Sequence, residues 1–269
     1  IFNMHPQARF HDGTPITSED LIFSLKMVKE KGTPLFRYYY ANVADAVALS
    51  PNRIKFNFSG PPNRELPQIV GQLLPILSKL HFENRKFEET TLEPILGAGP
   101  YKVKEFEANR YIVYERVKDY WGKDLPINKG RYNFDEIRYD FYRDTAVLLE
   151  AFKAGEYDFR SENSAKNWAT GYNFPALEEG LVIKEEIPTK NPAGQQGFAY
   201  NLRKEKFQDP ALREALNYAF DFEWLNKNIF YNQYQRTNSF YYNSVMAASG
   251  EPGPEELKIL EPYKDQLPP

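Results

Sequence analysis

The chain has 269 residues, with 34 Lys and Arg against 37 Asp and Glu, for a net charge of −3 at neutral pH. That near balance gives no electrostatic footprint for nucleic acid, and no apolar run approaches the roughly 20 residues of a membrane span. The absence of cysteine removes thiolate catalysis, cysteine zinc sites and disulfides together, and fits a reducing cytosol and a periplasm equally.

A chain of this length forms one large domain or two smaller ones with proper cores. Its unusual feature is 16% aromatic residues, including 19 Tyr and 20 Phe. An aromatic core explains many of these. Tyr at such density also suits a lined, partly wet binding surface, because its ring packs while its hydroxyl bonds. Both readings stay open on composition.

The first residues read as a strand, followed by a turn at Asp12-Gly13 and a helix start. Thr17 has the chemistry of an N-cap, Asp20 stands three residues on as reciprocal acceptor, and Glu19 adds charge to the first turn. Leu21, Ile22, Leu25 and Val28 follow at helical spacing, with Gly32 closing the helix. Residues 42–49 and 53–58 read as a hairpin turning at Pro51-Asn52, with Ile54, Phe56 and Phe58 on one face. Leu66 to Leu80 reads as a helix that Pro75 ends or kinks, and Phe82 to Glu93 as a charged surface linker. Tyr101–Phe106 and Ile112–Arg116 pair around a polar turn, and Phe134–Phe141 alternates as a further strand. A short helix over Thr145–Ala154 presents Val147, Leu148, Ala151 and Phe152 and ends at Gly155. Tyr157–Phe159 then restarts extended structure, and Phe198–Asn201 is strand-like. Pro210 opens a helix whose buried stripe is Leu212, Ala215, Leu216, Ala219 and Phe220, and an aromatic helix or loop follows through Trp224 and Phe230. This mixture without regular βα alternation predicts α/β structure in several lobes.

No catalytic set emerges. His5, His11 and His81 lack metal-ligand spacing, and Gly97-x-Gly99 runs into Pro100 without the third Gly of a dinucleotide loop. Glu178-Glu179 and Glu185-Glu186 are adjacent pairs that point to opposite faces of extended chain. No metal or cofactor is expected. Two polar segments stand out: residues 160–168 around Trp168, and residues 231–244, rich in Tyr, Asn, Gln and Ser. Each reads either as an adaptable ligand surface or as a solvated loop.

Several stretches carry a family resemblance. Phe10-His11-Asp12-Gly13-Thr14-Pro15-Ile16-Thr17-Ser18-Glu19-Asp20 resembles an aromatic-x-Asp-Gly-x-Pro-[Ile/Leu/Val]-Thr-x-x-Asp signature of the family 5 extracellular solute-binding proteins of ABC transporters. Gly97-Ala98-Gly99-Pro100-Tyr101, Tyr120-Trp121, Ala154-Gly155-Glu156-Tyr157-Asp158 and Phe207-Gln208-Asp209-Pro210 are similar to later family turns, and they fall in family order. Residues 31–40 and 161–172 most resemble the YejA-type oligopeptide-binding subgroup.

The resemblance implies a two-lobed periplasmic binding protein of type II, peptide-binding class, incomplete at both ends. Residues 1–93 and 94–196 would belong to the first lobe and residues 197–269 would begin the second. Because the chain starts at Ile1 without an initiator Met, a processed product or a fragment is expected, with no signal peptide in it. The implied role is non-enzymatic binding of oligopeptides, including microcin C-like peptide conjugates, by a monomer that serves a membrane-embedded ABC permease. It spans no membrane itself and takes no nucleic acid. Ser161, Glu162 and Asn163 would meet peptide main chain, Phe198, Tyr200 and Asn201 would lie at the crossing between lobes, and Trp168, Tyr38, Tyr39 and Tyr40 would wall side-chain pockets. Alternatives within the fold are a glycoside, a nickel chelate or a murein peptide as solute. An alternative outside it is a secreted hydrolase using acidic residues.

Overall fold

The computed structural model describes residues 1–89 and 91–266, and the chain divides into two units, 1–142 and 143–269. The first runs through the expected boundary at residue 93, and the break falls inside the expected middle section.

The first unit begins with β1 (Phe2–Asn3) and the turn that Asp12 and Gly13 build. Gly13 sits at φ 88°, where a side chain would be strained, while Asp12 Oδ1 accepts from the Thr14 N–H at 2.9 Å and its hydroxyl at 2.6 Å. The Thr14 hydroxyl bond is also the main reason the Asp12 carboxyl titrates below its ordinary range. Helix α1 (Ser18–Glu30) follows, with Asp20 Oδ2 accepting from both the backbone N–H and the hydroxyl of Thr17 at 2.8 Å. Next come α2 (Pro34–Tyr39), the hairpin strands β2 (Val43–Ser50) and β3 (Arg53–Phe58), and α3 (Leu66–Leu73). The β2–β3 register places Ala46 opposite Phe56, and β1 pairs on the other side of β3, giving an antiparallel sheet in the order β1-β3-β2.

The core lies between this sheet and the helices. Leu21, Leu25 and Val28 from α1 meet Tyr40, Val43, Ile54 and Phe56, with Leu66, Val70 and Leu74 closing the other side. Each such aliphatic or aromatic side chain contributes about 1.5–3 kcal/mol when fully buried. Phe58, at the end of its strand, stays half exposed. Helix α3 stops before Pro75, and the chain beyond it is pinned to α1 by two buried polar side chains. Ser24 Oγ accepts from the Leu77 N–H at 2.8 Å, and Asp20 Oδ1 accepts from the Lys79 N–H at 2.9 Å. The 82–93 linker is less free than its charge suggests, because Phe82 packs on Phe23 of α1 and Lys31 pairs with Glu88 at 3.0 Å.

A second antiparallel sheet, in the order β4-β5-β6, is formed by β4 (Tyr101–Glu107), β5 (Tyr111–Arg116) and β6 (Glu136–Asp140). The separate signature stretches meet here. The His11 N–H donates to the Gly97 carbonyl at 2.9 Å, the Trp121 indole donates to the Ala98 carbonyl at 3.1 Å, and the His5 ring stacks on Trp121. Arg9 pairs with Asp119 at 3.1 Å.

The second unit is helical: α4 (Thr145–Lys153), α5 (Ala165–Thr170), α6 (Pro175–Glu178), α7 (Pro210–Tyr218), α8 (Phe222–Asn228) and α9 (Pro254–Leu260). Asp144, Ser164, Asp209 and Asp221 each cap the helix that follows through a side-chain oxygen. Four expectations are corrected. On α4 the buried residue is Leu149, which packs against Gly171, while Val147 is exposed. Tyr157–Phe159 and Phe198–Asn201 form no strands, because among the described residues this unit offers no strand to pair with them. Helix α7 starts at Pro210 as expected, yet Leu212, Leu216 and Phe220 are between a third and two fifths exposed rather than buried.

Candidate functional site

The strongest constellation of the second unit surrounds Glu162. Residues 160–164 are irregular, and in locally extended chain side chains two apart share a side, which brings the Arg160 guanidinium onto the Glu162 carboxylate. Arg160 Nη2 lies 2.9 Å and Nε 3.1 Å from Glu162 Oε2, and the two side chains are only 8% and 2% exposed. The Tyr172 hydroxyl accepts from Arg160 Nε at 3.0 Å and donates to Glu162 Oε2 at 3.0 Å. The Tyr157 hydroxyl accepts from Arg160 Nη1 at 3.1 Å and donates to the Leu148 carbonyl of α4 at 2.8 Å. Glu162 Oε1 accepts from the Ser164 N–H at 2.9 Å.

Burial opposes charge on both partners, and the bonds outweigh it. The Ser164 N–H, Arg160 and Tyr172 hold the Glu162 carboxyl below its ordinary range, and Tyr157, Glu162 and Tyr172 raise Arg160 above its own. Tyr172 is pushed up by burial first and by its bond to Glu162 second. Glu162 is therefore ionised with both oxygens engaged, and it supports the loop from within instead of presenting itself to a solute. Ser161 and Asn163, on either side of it, are exposed, and their side chains make no hydrogen bond among the described residues.

Trp168 on α5 joins this group through Tyr172, ring to ring at 5.9 Å. Its indole N–H donates to Glu186 at 3.1 Å, and the Lys184 ammonium sits 4.3 Å from its ring centre. Phe198, Tyr200 and Asn201 line an open hollow of about 510 Å³ together with Phe207 and with Leu216 and Phe220 of the α7 side. Phe198 meets Phe220 edge-on at 6.0 Å, and Tyr200 packs on Phe207 at 5.4 Å. Asn201 Oδ1 is taken up by its own turn, accepting from the Arg203 N–H at 3.1 Å and from Arg203 Nε at 3.2 Å.

In the first unit Tyr38 is 77% exposed and Tyr39 37%, whereas Tyr40 is 0% exposed. Tyr40 is a core side chain stacked on Phe36 at 6.4 Å, with no surface for a pocket wall. It closes α2 and turns into β2, which requires its ring to face inward. Burial pushes its hydroxyl up to about 12, and that hydroxyl has no hydrogen-bond partner among the described residues. The 231–244 segment is tied down through Asn243, whose Nδ2 donates to the Thr189 and Asn191 carbonyls at 2.8 and 2.9 Å. Sequence reasoning missed the roles of Arg160, Tyr157 and Tyr172; the Arg-x-Glu spacing in extended chain was the available signal. Among the described residues no helix is long and apolar enough to cross a membrane.

Signature turns knotted together in the first unit and a braced polar loop in the second point to one class of protein, the solute-binding proteins. The chain belongs to the bacterial extracellular solute-binding proteins, family 5, matching the family's middle region over residues 1–265. It is 46% identical over 277 residues to the probable peptide-binding protein YejA of Agrobacterium fabrum, covering 100% of this chain and 45% of that protein. It is 40% identical over 265 residues to the uncharacterized protein YejA of Escherichia coli K12, covering 98% and 43%. The peptidoglycan-binding protein YepA of A. fabrum is 39% identical over 267 residues, covering 96% and 43%. The chain thus spans less than half the length of these relatives. Among solved structures, the oligopeptide-binding protein AppA of Bacillus subtilis, in complex with a nonapeptide, superposes with a TM-score of 0.64 at 19% identity, covering 98% of this chain and 51% of that one. That likeness concerns the fold alone.

Proposed function

We propose that this chain is part of the periplasmic, oligopeptide-binding component of an ABC importer. The observation that carries the reading is the braced loop at 160–164. The buried Arg160–Glu162 pair fixes the chain while Ser161 and Asn163 stand exposed on it, with side-chain donors and acceptors unspent. A peptide main chain losing water needs such groups, since an unsatisfied buried amide costs about 1–3 kcal/mol. Tyr38 and Tyr39 in the first unit, and Trp168, Phe198 and Tyr200 in the second, each offer aromatic surface that tolerates varied side chains, and Asn201 holds the turn next to Tyr200. Residues 1–93 and 94–196 belong on this reading to the first lobe and 197–269 to the start of the second. The protein delivers its solute to a membrane-embedded permease and works as a monomer. The name and 46% identity of the A. fabrum YejA relative support peptide as the solute; microcin C-like conjugates are a finer proposal within that reading.

The 39% identity to YepA, named a peptidoglycan-binding protein, favours a murein-derived peptide as the second reading. An acidic-residue hydrolase has no support at Glu162, because both of its carboxylate oxygens are already bonded and its side chain is 2% exposed. Native mass spectrometry of the purified protein, followed by denaturation and sequencing of what it releases, tests the assignment. Released oligopeptides are expected, muropeptides would move it to the second reading, and a glycoside or metal chelate would overturn both.

A further inference from the structure

The first unit contains a second concave site, built from residues to which the peptide reading gives no role. After β5 the chain runs through Val117 and the Tyr120–Tyr132 turns, leaving a hollow of about 240 Å³. Four cationic side chains line it, Arg116, Lys118, Lys123 and Arg131, together with the rings of Tyr120 and Tyr132 and with no carboxylate. Arg116 has one counter-charge, Asp135, at 2.6 Å from Nη2. Its Nη1 donates to the Tyr132 carbonyl at 3.3 Å, and its buried Nε has no acceptor among the described residues. Lys118, Lys123 and Arg131 make no ion pair among the described residues. The nearby Asp119 feels Lys123 but turns its carboxylate to Arg9.

The frame of the hollow is built rather than loose. Asn128 is 9% exposed, donates from Nδ2 to the Gly122 carbonyl at 2.8 Å, and accepts from the Tyr132 hydroxyl at 3.5 Å. The Tyr120 hydroxyl lies so close over Gly122 that a Cβ there would fall 2.7 Å from its oxygen. The Tyr120 and Tyr132 rings meet edge-on at 6.2 Å, and Tyr101 supports Tyr132 from behind at the same separation. Both phenols are thereby held in place around a polar floor.

We propose that this hollow binds a small oxyanion of two or more negative charges, of the phosphate or polycarboxylate kind. Like charges facing one hollow raise each other's energy, and a multivalent anion reverses the sign of that interaction. Arg supplies a planar fork and Lys a mobile point charge, the pairing suited to oxyanions. The volume suits a small polyanion, falling below the roughly 300–1,000 Å³ of pockets that enclose larger organic ligands. Because the lysines are exposed, binding weakens steeply with salt.

Pyrophosphate and citrate, titrated separately into the purified protein by calorimetry at low ionic strength, test this, with sodium chloride of matched ionic strength as control. Saturable heat and a raised Tm are expected with at least one of the two anions and not with chloride. Tighter pyrophosphate binding assigns phosphate, and tighter citrate binding assigns carboxylate. The Lys123→Gln/Arg131→Gln double variant is expected to lose about tenfold in affinity while its Tm without anion stays that of the parent. The charge reversal Lys118→Glu, on an exposed side chain, is expected to weaken binding as well. No saturable heat from either anion, or an unchanged affinity in both variants, overturns the proposal.

Discussion

His11 Nε2 lies 2.9 Å from the carbonyl oxygen of Gly99, 88 residues further along the chain. A carbonyl only accepts, so the ring carries its proton on Nε2, and the His11 backbone N–H adds a second bond to Gly97. The approach is close enough that a Cβ at Gly97 would fall 3.0 Å from His11 Cε1. His11 and Gly97 thus explain each other, and they couple the turn before α1 to the strand that opens the second sheet.

This coupling predicts non-additivity. His11→Ala removes the ring bond and is expected to destabilise the first unit by about 1 kcal/mol. Gly97→Ala forces the ring aside and is expected to cost about 1–3 kcal/mol. In the double variant the second loss shrinks, because the ring that clashes is gone. Urea unfolding of the four proteins measures it, and strictly additive losses would show that the two residues do not meet.

The Arg160–Glu162 pair predicts an asymmetry between breaking and replacing a buried charge. Glu162→Ala strands the guanidinium and is expected to cost about 3–5 kcal/mol. Arg160→Met/Glu162→Met leaves no orphaned charge, so its loss is expected to be smaller than that of Glu162→Ala, although Tyr157 loses one partner and Tyr172 two. Thermal unfolding compares them, and a double variant worse than the single would refute the buried-pair account.

The same carboxylate sets an acid limit. With Ser164, Arg160 and Tyr172 outweighing burial, Glu162 has a lower pKa folded than unfolded, so the unfolded chain binds the extra proton first. Its stabilisation is complete above the ordinary carboxylate value of about 4.3 and is lost as pH falls from there through the folded value. Unfolding midpoints between pH 7 and pH 3 are expected to fall less steeply in Glu162→Gln than in the parent. Parallel curves would remove Glu162 from the acid limit.

Legibility divided along a physical line. The Asp12-Gly13 turn, α1 with its Asp20 acceptor, the β2–β3 hairpin and the β4–β5 pair follow from local chemistry, and each sits where the sequence reading put it. The failures needed a partner far along the chain. Alternation in Phe198–Asn201 speaks for a strand, but a strand exists only beside another, and the stripe on α7 is buried only if something covers it. At the candidate site, the polar stretch around Trp168 stands out by residue type, while the family resemblance names Ser161, Glu162 and Asn163 alike. Sequence spacing could not show that Glu162 spends its charge on Arg160, or that of three consecutive tyrosines only Tyr40 turns inward.

Tyr40 yields its own prediction. Its hydroxyl is buried without a partner among the described residues, so it was desolvated on folding with no bond in return. Tyr40→Phe keeps the ring against Phe36 and is expected to raise stability, by about 1 kcal/mol, without changing peptide affinity. The parent should also lose stability between pH 10, where the unfolded phenol ionises, and about 12, where the folded one does; the variant should lose less over that range. A destabilised Tyr40→Phe would mean that the hydroxyl has a partner after all.

Asn163 carries the sharpest test of the solute site. Its side chain is exposed on a loop that Glu162 and Arg160 brace, so removing it is expected to leave the fold intact and, on the proposed reading, to delete one main-chain partner of a bound peptide. Losing one hydrogen bond of about 0.5–1.5 kcal/mol corresponds to roughly two- to twelvefold weaker binding. Calorimetry with a peptide that the protein itself releases is expected to show that loss for Asn163→Ala at an unchanged Tm. Glu162→Gln is expected to weaken both affinity and stability, since it acts through the loop. If Asn163→Ala binds as the parent does while Glu162→Gln loses stability but not affinity, the loop is structural and the peptide lies elsewhere.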